Sequence, residues 1–160
     1  MMRWWGLPLR NALDIGAGPG FWRDWFASNE PKVRYRSTDA SGYACSRFSH
    51  EQLDIASWTP NRHYDLVVCQ GVLHYLDDRA AERAIDNLGV ACRGALYLEA
   101  PTLADRRDVI DTSTTDLRVH WRSGAWYRKR LNPYFQAVGA GLYIARSTGT
   151  LFYELETPTR

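Results

Sequence analysis

The sequence predicts an α/β domain whose doubly wound, mostly parallel sheet ends in an antiparallel hairpin. Near its start, an apolar strand-like segment breaks into three alternating glycines and restarts as a helix. Further along, apolar runs of strand length alternate with amphipathic stretches, which is the pattern of a parallel sheet flanked by helices. Two β-type runs near the carboxyl end are separated by a Ser-Thr-Gly turn, which indicates a hairpin.

The predicted elements follow one another at short intervals. The first strand ends at Ile15, and the first helix begins at Phe21. A second strand covers 33–39, and only a shortened helix around 43–48 fits before Asp54, because a full crossover needs more residues. The later predictions are a buried strand from Tyr64, a helix over 77–90, a central strand at 95–99, a helix from Ser123 to Pro133, and hairpin strands at 137–146 and 150–156.

Composition limits the class of protein. A chain of 160 residues that is 45% hydrophobic predicts one globular domain over 1–160 with a substantial core. No apolar run reaches the roughly eighteen residues of a membrane span, and the first ten residues lack a signal-peptide core, so we expect a soluble cytoplasmic protein. The net charge of +2 is too small to indicate nucleic acid. Cys45, Cys69 and Cys92 lack metal-ligand spacing, so we expect reduced thiols and no metal.

The glycine run between the first strand and the first helix predicts a nucleoside-cofactor loop. Alternating glycines let the backbone turn tightly and approach a ligand, and the N–H groups that open the next helix suit a carboxylate or phosphate. The spacing is G-x-G-x-G, not the G-x-G-x-x-G of dinucleotide sites. Asp14, at the strand end, suits an ammonium or sulfonium better than a pyrophosphate. A nicotinamide enzyme is therefore disfavoured.

Residues 12–20 resemble motif I of the class I S-adenosylmethionine-dependent methyltransferases, hh[DE]hGxGxG, at every position. Three later segments resemble further motifs of that family in the right order: Asp39 at the end of the second strand, Leu53-Asp54-Ile55, and the D-hhh-x-x-x-h-L-H pattern within 64–76. The resemblance covers residues 12–76. It implies a Rossmann-like sheet, S-adenosylmethionine as cofactor and a small-molecule methyl acceptor.

The same resemblance implies roles for individual residues. Asp39 would accept hydrogen bonds from the ribose hydroxyls, and Asp54 with Ile55 would border the adenine, although a lone Asp54 is equally often a cap. The implied cofactor-binding residues are Asp14, Gly16, Ala17, Gly18, Gly20, Asp39, Ala40, Asp54, Ile55, Gln70 and Gly71.

Methyl transfer from a sulfonium requires in-line positioning and, for some acceptors, a base. In such a sheet the acceptor lies beyond the carboxyl ends of the strands, near 70–75 and 99–102. His74 could act as a general base, since its ordinary pKa lies near neutrality, or could pack the loop against the first helix. Glu99 could bond the acceptor or face solvent. Tyr75 could line the acceptor pocket or fill space beside the next helix.

Residues 116–134 interleave basic and aromatic side chains, which can indicate a nucleic-acid surface. Tyr127 and Leu131 lie four residues apart, however, so a short amphipathic helix explains the pattern better. The stretch also resembles the helix before the last two strands of small-molecule methyltransferases. That resemblance implies that His120, Trp121 and Tyr127 reach the acceptor pocket.

Only about ten residues precede the first strand, where the family usually has one or two lid helices. We therefore expect the amino-terminal lid helices to be absent. The start could be truncated or misassigned, the lid could come from another chain, as in a homodimer, or the site could be more open. The sequence leaves two alternatives to a small-molecule methyltransferase: an RNA or protein methyltransferase, and a non-catalytic module that binds S-adenosylmethionine.

Overall fold

The computed structural model describes residues 2–152. Its strands are β1 Asn11–Ile15, β2 Arg34–Asp39, β3 Glu51–Gln52, β4 Tyr64–Gln70, β5 Cys92–Glu99, β6 Phe135–Gly139 and β7 Leu142–Ala145. Its α-helices are α1 Phe21–Asn29, α2 Gly42–Phe48, α3 Asp78–Ala91, α4 Leu103–Asp108 and α5 Gly124–Leu131. Short 3₁₀ helices cover Met2–Trp5, Leu73–Tyr75 and Arg146–Thr148.

All seven strands form one sheet in the order β3-β2-β1-β4-β5-β7-β6. The first five strands of that order run parallel, and β7 is antiparallel to both β5 and β6. The predicted fold class is therefore confirmed. The strand order reverses between β1 and β4, and a crevice at the carboxyl ends of the strands beside such a switch point is where α/β sheets bind ligands.

The carboxyl-terminal hairpin lies earlier in the chain than predicted. Its turn is Gly139-Ala140-Gly141, with all three residues at positive φ, so β6 and β7 both lie within 135–145. An added Cβ at Gly141 would lie 2.8 Å from the carbonyl oxygen of Leu98 on β5, so the turn packs closely on the sheet. The prediction took 137–146 as one strand because its apolar run is continuous. Residues 150–152 form no strand, and the rest of the predicted strand, 153–156, lies outside the described residues.

The core lies on both faces of the sheet. On one face, β-strand residues such as Leu13, Val67 and Leu96 pack with residues of α3 and α5. On the other face, Ala95, Leu142 and Ile144 pack with Met2 and Leu7 from the start of the described chain.

Local sequence explains the helix boundaries. The side chains of Ser41, Asp77, Thr102 and Ser123 each accept a hydrogen bond from a first-turn N–H and cap α2, α3, α4 and α5. Seven-residue α2 is the shortened crossover helix that the sequence predicts. Among residues 2–152, none of the helices combines the length and the apolar character that crossing a bilayer requires.

Candidate functional site

The glycine loop turns sharply from β1 into α1. Gly16, Gly18 and Gly20 all have positive φ, which side chains rarely tolerate. A Cβ at Gly16 would lie 2.3 Å from Cγ2 of Val72, so this part of the loop packs tightly against the segment after β4. A Cβ at Gly18 would approach nothing closer than 4.0 Å, so the backbone there is open to a ligand.

Helix α1 begins at this loop without a side-chain cap. Its N-cap is Gly20, which offers no acceptor, whereas the other four α-helices of the described chain are capped by a side chain. The first-turn N–H groups of α1 therefore remain available to an anionic group of a ligand.

The structure brings Asp39, at the end of β2, onto the glycine loop. Its Oδ2 accepts a hydrogen bond of 3.1 Å from the Gly18 amide, and its Oδ1 accepts one of 2.8 Å from the Ser41 amide. Because a carboxylate has about four lone-pair sites, further acceptor capacity remains for ligand hydroxyls. Ala40 follows at the surface, where its carbonyl oxygen accepts a bond from Gln52.

His50 holds the same loop from another direction. Its Nε2 lies 2.8 Å from the Gly18 carbonyl oxygen, and its Nδ1 lies 2.9 Å from the Ser37 hydroxyl oxygen. Because a carbonyl can only accept, Nε2 must carry the proton. Sequence reasoning missed this buried residue. No local signal identifies it, since its partners lie on β2 and on the glycine loop and depend on tertiary structure.

Asp14 is 1% exposed, and its carboxylate is hydrogen-bonded to a half-buried side chain. It accepts a hydrogen bond from the Tyr35 hydroxyl, whose ring stacks on Phe26 at a centroid distance of 5.0 Å. Burial raises the pKa of Asp14 to about 6, although the Tyr35 bond and nearby His50 oppose that change. Burial and the bond to Asp14 also raise the pKa of Tyr35.

Asp54 and Ile55 lie after the short strand β3. The Asp54 side chain is exposed and caps a turn, accepting bonds of 2.9 Å from the Ala56 amide and the Ser57 hydroxyl. Ile55 is buried in the core, and its carbonyl accepts a bond of 2.7 Å from Asn87. Their role beside an adenine ring stays a prediction.

At the carboxyl ends of β4 and β5, four side chains form one network. Gln70 and Glu99 are register partners, and Gln70 Nε2 donates a bond of 2.9 Å to Glu99 Oε2. Trp22 Nε1 donates to Gln70 Oε1 at 3.0 Å, and the Tyr97 hydroxyl donates to Glu99 Oε2 at 3.2 Å. The Gly71 amide donates to the Glu99 carbonyl, so a backbone hydrogen bond also joins the carboxyl ends of β4 and β5. Trp22 and Tyr97 belong to this network, although the sequence did not identify them as site residues.

His74 lies in the 3₁₀ helix after β4 and is 8% exposed. Its Nδ1 is buried and has no hydrogen-bond partner among the described residues. Burial and the positive charge of Arg122 lower its pKa, which favours the neutral ring. Buried Arg122 donates to the carbonyls of Leu73 and Leu76 and pairs with Asp78, which fixes the His74 segment.

The predicted acceptor residues divide into two groups. Tyr75 is exposed beside the His74 ring, at a centroid distance of 4.4 Å, and the amide of exposed His120 donates to the His74 carbonyl at 2.8 Å. Trp121 is half-buried, with the Arg106 guanidinium 5.1 Å from its ring. Tyr127 is instead buried in the core, because it occupies the inward face of α5. Within residues 2–152, no group of three or more His, Cys, Asp or Glu side chains could hold a metal ion.

No protein-family model and no curated protein matches this chain. Solved structures do match. One is N-methyltransferase NodS from Bradyrhizobium japonicum WM9 in complex with S-adenosylhomocysteine, at 20% identity and a TM-score of 0.58, covering 84% of this chain and 77% of NodS. The chain has the class I methyltransferase fold. The amino pentose methyltransferase CalS10 from Micromonospora echinaspora, solved with S-adenosylmethionine bound, shares that fold with a TM-score of 0.67 at 12% identity.

The share of each chain that aligns varies among the matching structures. The alignment with CalS10 spans 90% of this chain and 86% of CalS10. PKMT2 from Rickettsia typhi matches with a TM-score of 0.64 at 16% identity, but this chain spans only 40% of its length. The PKMT2 alignment nevertheless spans 80% of this chain. At the switch point of this class I methyltransferase fold, the chain places an open glycine loop, an uncapped helix and the carboxylates of Asp39 and Glu99.

Proposed function

We propose that this protein is an S-adenosylmethionine-dependent methyltransferase that acts on a small-molecule acceptor at oxygen, nitrogen or carbon. The observation that carries the proposal is the hydrogen bond from the Gly18 amide to the Asp39 carboxylate. It joins the open glycine loop to the acid at the end of β2, two groups that a nucleoside must meet together. The solved structures of this fold with S-adenosylmethionine or S-adenosylhomocysteine support the choice of nucleoside.

The residues fit this cofactor group by group. The uncapped N–H groups of α1 suit its amino-acid carboxylate, and Asp39 suits its ribose hydroxyls. Asp54 and Ile55 lie after β3 on the side proposed for the adenine, and Gln70 and Gly71 close the crevice at the end of β4. When bound, S-adenosylmethionine would supply a methyl group on a sulfonium, a good leaving group.

The protein's own contribution is to position the acceptor and to receive a proton where the acceptor carries one. We propose His74 and Glu99 for the second task. The lowered pKa of His74 favours its neutral ring, its buried Nδ1 has no hydrogen-bond partner among the described residues, and the Glu99 carboxylate is exposed at the strand ends. Tyr75, His120 and Trp121 are proposed to line the acceptor side. The core position of Tyr127 favours a packing role for that residue.

An RNA or protein methyltransferase is the second candidate, because Arg118, Arg122 and Arg128 lie within one basic segment. Arg122 is only 4% exposed and its guanidinium bonds Asp78 and two backbone carbonyls, so it cannot serve a phosphate. That burial divides the basic segment and favours a small acceptor. CalS10, an amino pentose methyltransferase of the same fold, agrees with this preference.

Calorimetric titration with S-adenosylhomocysteine and with NAD tests the cofactor assignment. The first ligand should bind and the second should not, and NAD binding alone would overturn the proposal. Transfer of a labelled methyl group from S-adenosylmethionine to compounds in a metabolite extract then separates the enzyme from a non-catalytic binding module. A module would bind the nucleoside and label nothing.

A further inference from the structure

We propose that the methyl acceptor carries a protonated amine, which binds the Glu99 carboxylate beside the rings of Trp22 and Tyr97. The inference rests on the proposed methyltransferase function and names its substrate class. The four residues Trp22, Gln70, Tyr97 and Glu99 are called the strand-end cluster below.

The strand-end cluster fixes Glu99 and leaves one of its oxygens unused. Gln70 Nε2 and the Tyr97 hydroxyl both donate to Oε2, at 2.9 and 3.2 Å. No hydrogen bond reaches Oε1 from the described residues. Two donors already order the carboxylate. The Glu99 side chain therefore loses little further conformational entropy when a ligand bonds Oε1.

Glu99 also lacks a counter-charge. The chain is rich in arginine, and the ion pairs of residues 2–152 engage Asp24, Glu30, Glu51, Asp65, Asp78, Glu82 and Asp108 but leave Glu99 out. No Lys, Arg or His nitrogen in that part of the chain approaches the Glu99 carboxylate within ion-pair distance. A cationic ligand would therefore supply the missing partner, and an anionic one would meet repulsion.

Two aromatic rings stand beside this carboxylate. The Trp22 and Tyr97 rings meet edge to face at a centroid distance of 5.7 Å, and the Trp22 indole N–H is held by Gln70 at 3.0 Å. Aromatic faces attract cations, with Trp the strongest of them. A carboxylate next to oriented aromatic rings therefore prefers an ammonium to a neutral hydroxyl of the same shape.

The position of the cluster fits an acceptor. Glu99 and Gln70 end adjacent strands, and Trp22 is the second residue of α1, immediately after the glycine loop. An amine held there would place its molecule next to the proposed sulfonium site. Exposure of Gln70 and Glu99 leaves the cluster open to a ligand.

The test uses the full chain saturated with S-adenosylhomocysteine and matched triads of small probes. The triads are cyclohexylamine, cyclohexanol and cyclohexanecarboxylate; benzylamine, benzyl alcohol and benzoate; and glucosamine, glucose and glucuronate. Binding is measured by saturation-transfer difference NMR, and the affinity of the best amine is measured by titration. We expect the amine of at least one triad to bind in preference to its alcohol and its carboxylate.

Glu99→Gln keeps the size of the side chain and one acceptor oxygen for Gln70 and Tyr97, but it removes the charge and replaces the free oxygen with an NH2 donor. It should weaken amine binding by about tenfold or more, the effect of losing a charged hydrogen bond, and the variant should still bind S-adenosylhomocysteine. Glu82→Gln, the same change on α3, should retain amine binding. Thermal unfolding of both variants checks that they fold.

The failures are distinguishable. A protein that does not bind S-adenosylhomocysteine overturns the proposed function. A protein that binds it but takes up no amine, or binds the alcohols and carboxylates as well as the amines, overturns the amine inference alone. Amine binding that survives in Glu99→Gln also overturns it.

Discussion

The Nε2 of His50 donates a hydrogen bond of 2.8 Å to the carbonyl oxygen of Gly18. The amide of the same glycine donates to Asp39, so both backbone polar groups of Gly18 are held by side chains. The ring of His50 is fixed in turn by Ser37 on β2. The conformation of the loop therefore depends on a side chain outside the glycine motif.

His50→Phe should weaken S-adenosylhomocysteine binding by about 1 kcal/mol, or roughly fivefold, because the Gly18 carbonyl loses its donor. Calorimetry measures the change. The matched control is His63→Phe, since His63 also bonds a backbone carbonyl, that of Val90, but far along the chain from the loop. Equal affinities for wild type and His50→Phe would show that the loop does not need this bond.

Asp39→Ala should weaken S-adenosylhomocysteine binding by roughly 1–3 kcal/mol through loss of charge-assisted hydrogen bonds to the ribose and to the loop. The measurement is calorimetric titration. Asp86→Ala, an exposed carboxylate on α3, is the control and should bind as the wild type does. An unchanged affinity in Asp39→Ala would remove the ribose assignment.

Asp14→Asn should stabilise the fold at neutral pH. The pKa of Asp14 rises from 3.8 to about 6 on folding, so the folded state holds the proton more tightly than the unfolded chain. Its contribution to stability is therefore fully present below pH 3.8 and is lost as the pH rises through 6. The variant's free energy of unfolding should exceed that of wild type by up to about 3 kcal/mol at pH 7.5.

Urea unfolding at pH 3.5 and 7.5 measures that difference, which should be near zero at the lower pH. Asn keeps a carbonyl oxygen for the Tyr35 hydroxyl, so the charge is the main change. Asp24→Asn, an exposed carboxylate on α1, should match wild type within about 0.5 kcal/mol at both values. A difference for Asp14→Asn that does not grow with pH would contradict the assignment.

Arg122→Met should destabilise the protein by roughly 2–4 kcal/mol, because it leaves two backbone carbonyls and Asp78 without their donor. Urea denaturation gives the magnitude. Arg118→Met removes an exposed arginine from the same segment and should change stability by less than about 0.5 kcal/mol. Similar losses in both variants would argue against a specific role for the Arg122 bonds.

The sequence predicts most reliably what is encoded locally. Alternating glycines allow positive φ at Gly16, Gly18 and Gly20, so a tight turn at 16–20 can be inferred without knowledge of its neighbours. Asp77 and Ser123 cap the helices predicted to begin there, because capping involves only the next few residues.

Features that depend on tertiary structure were not predicted. The bond between His50 and Gly18 joins residues far apart in sequence, and the strand-end cluster depends on the register that aligns Gln70 with Glu99. Similarly, one residue at positive φ, Ala140, completes the turn that splits an apparently continuous strand. The buried face of α5, by contrast, carries Tyr127 and Leu131, the pair whose four-residue spacing indicated an amphipathic helix.

Four of the five α-helices in the described chain have an N-cap side chain that accepts a hydrogen bond from a first-turn N–H. Helix α1 differs, because its N-cap is Gly20, which has no side chain to accept such a bond. The N–H groups of its first turn, which a capping side chain would otherwise bond, can therefore bind an anionic group of a ligand. An anionic group bound here would therefore complete the first turn of α1, whereas a ligand without such a group would leave these donors without a partner.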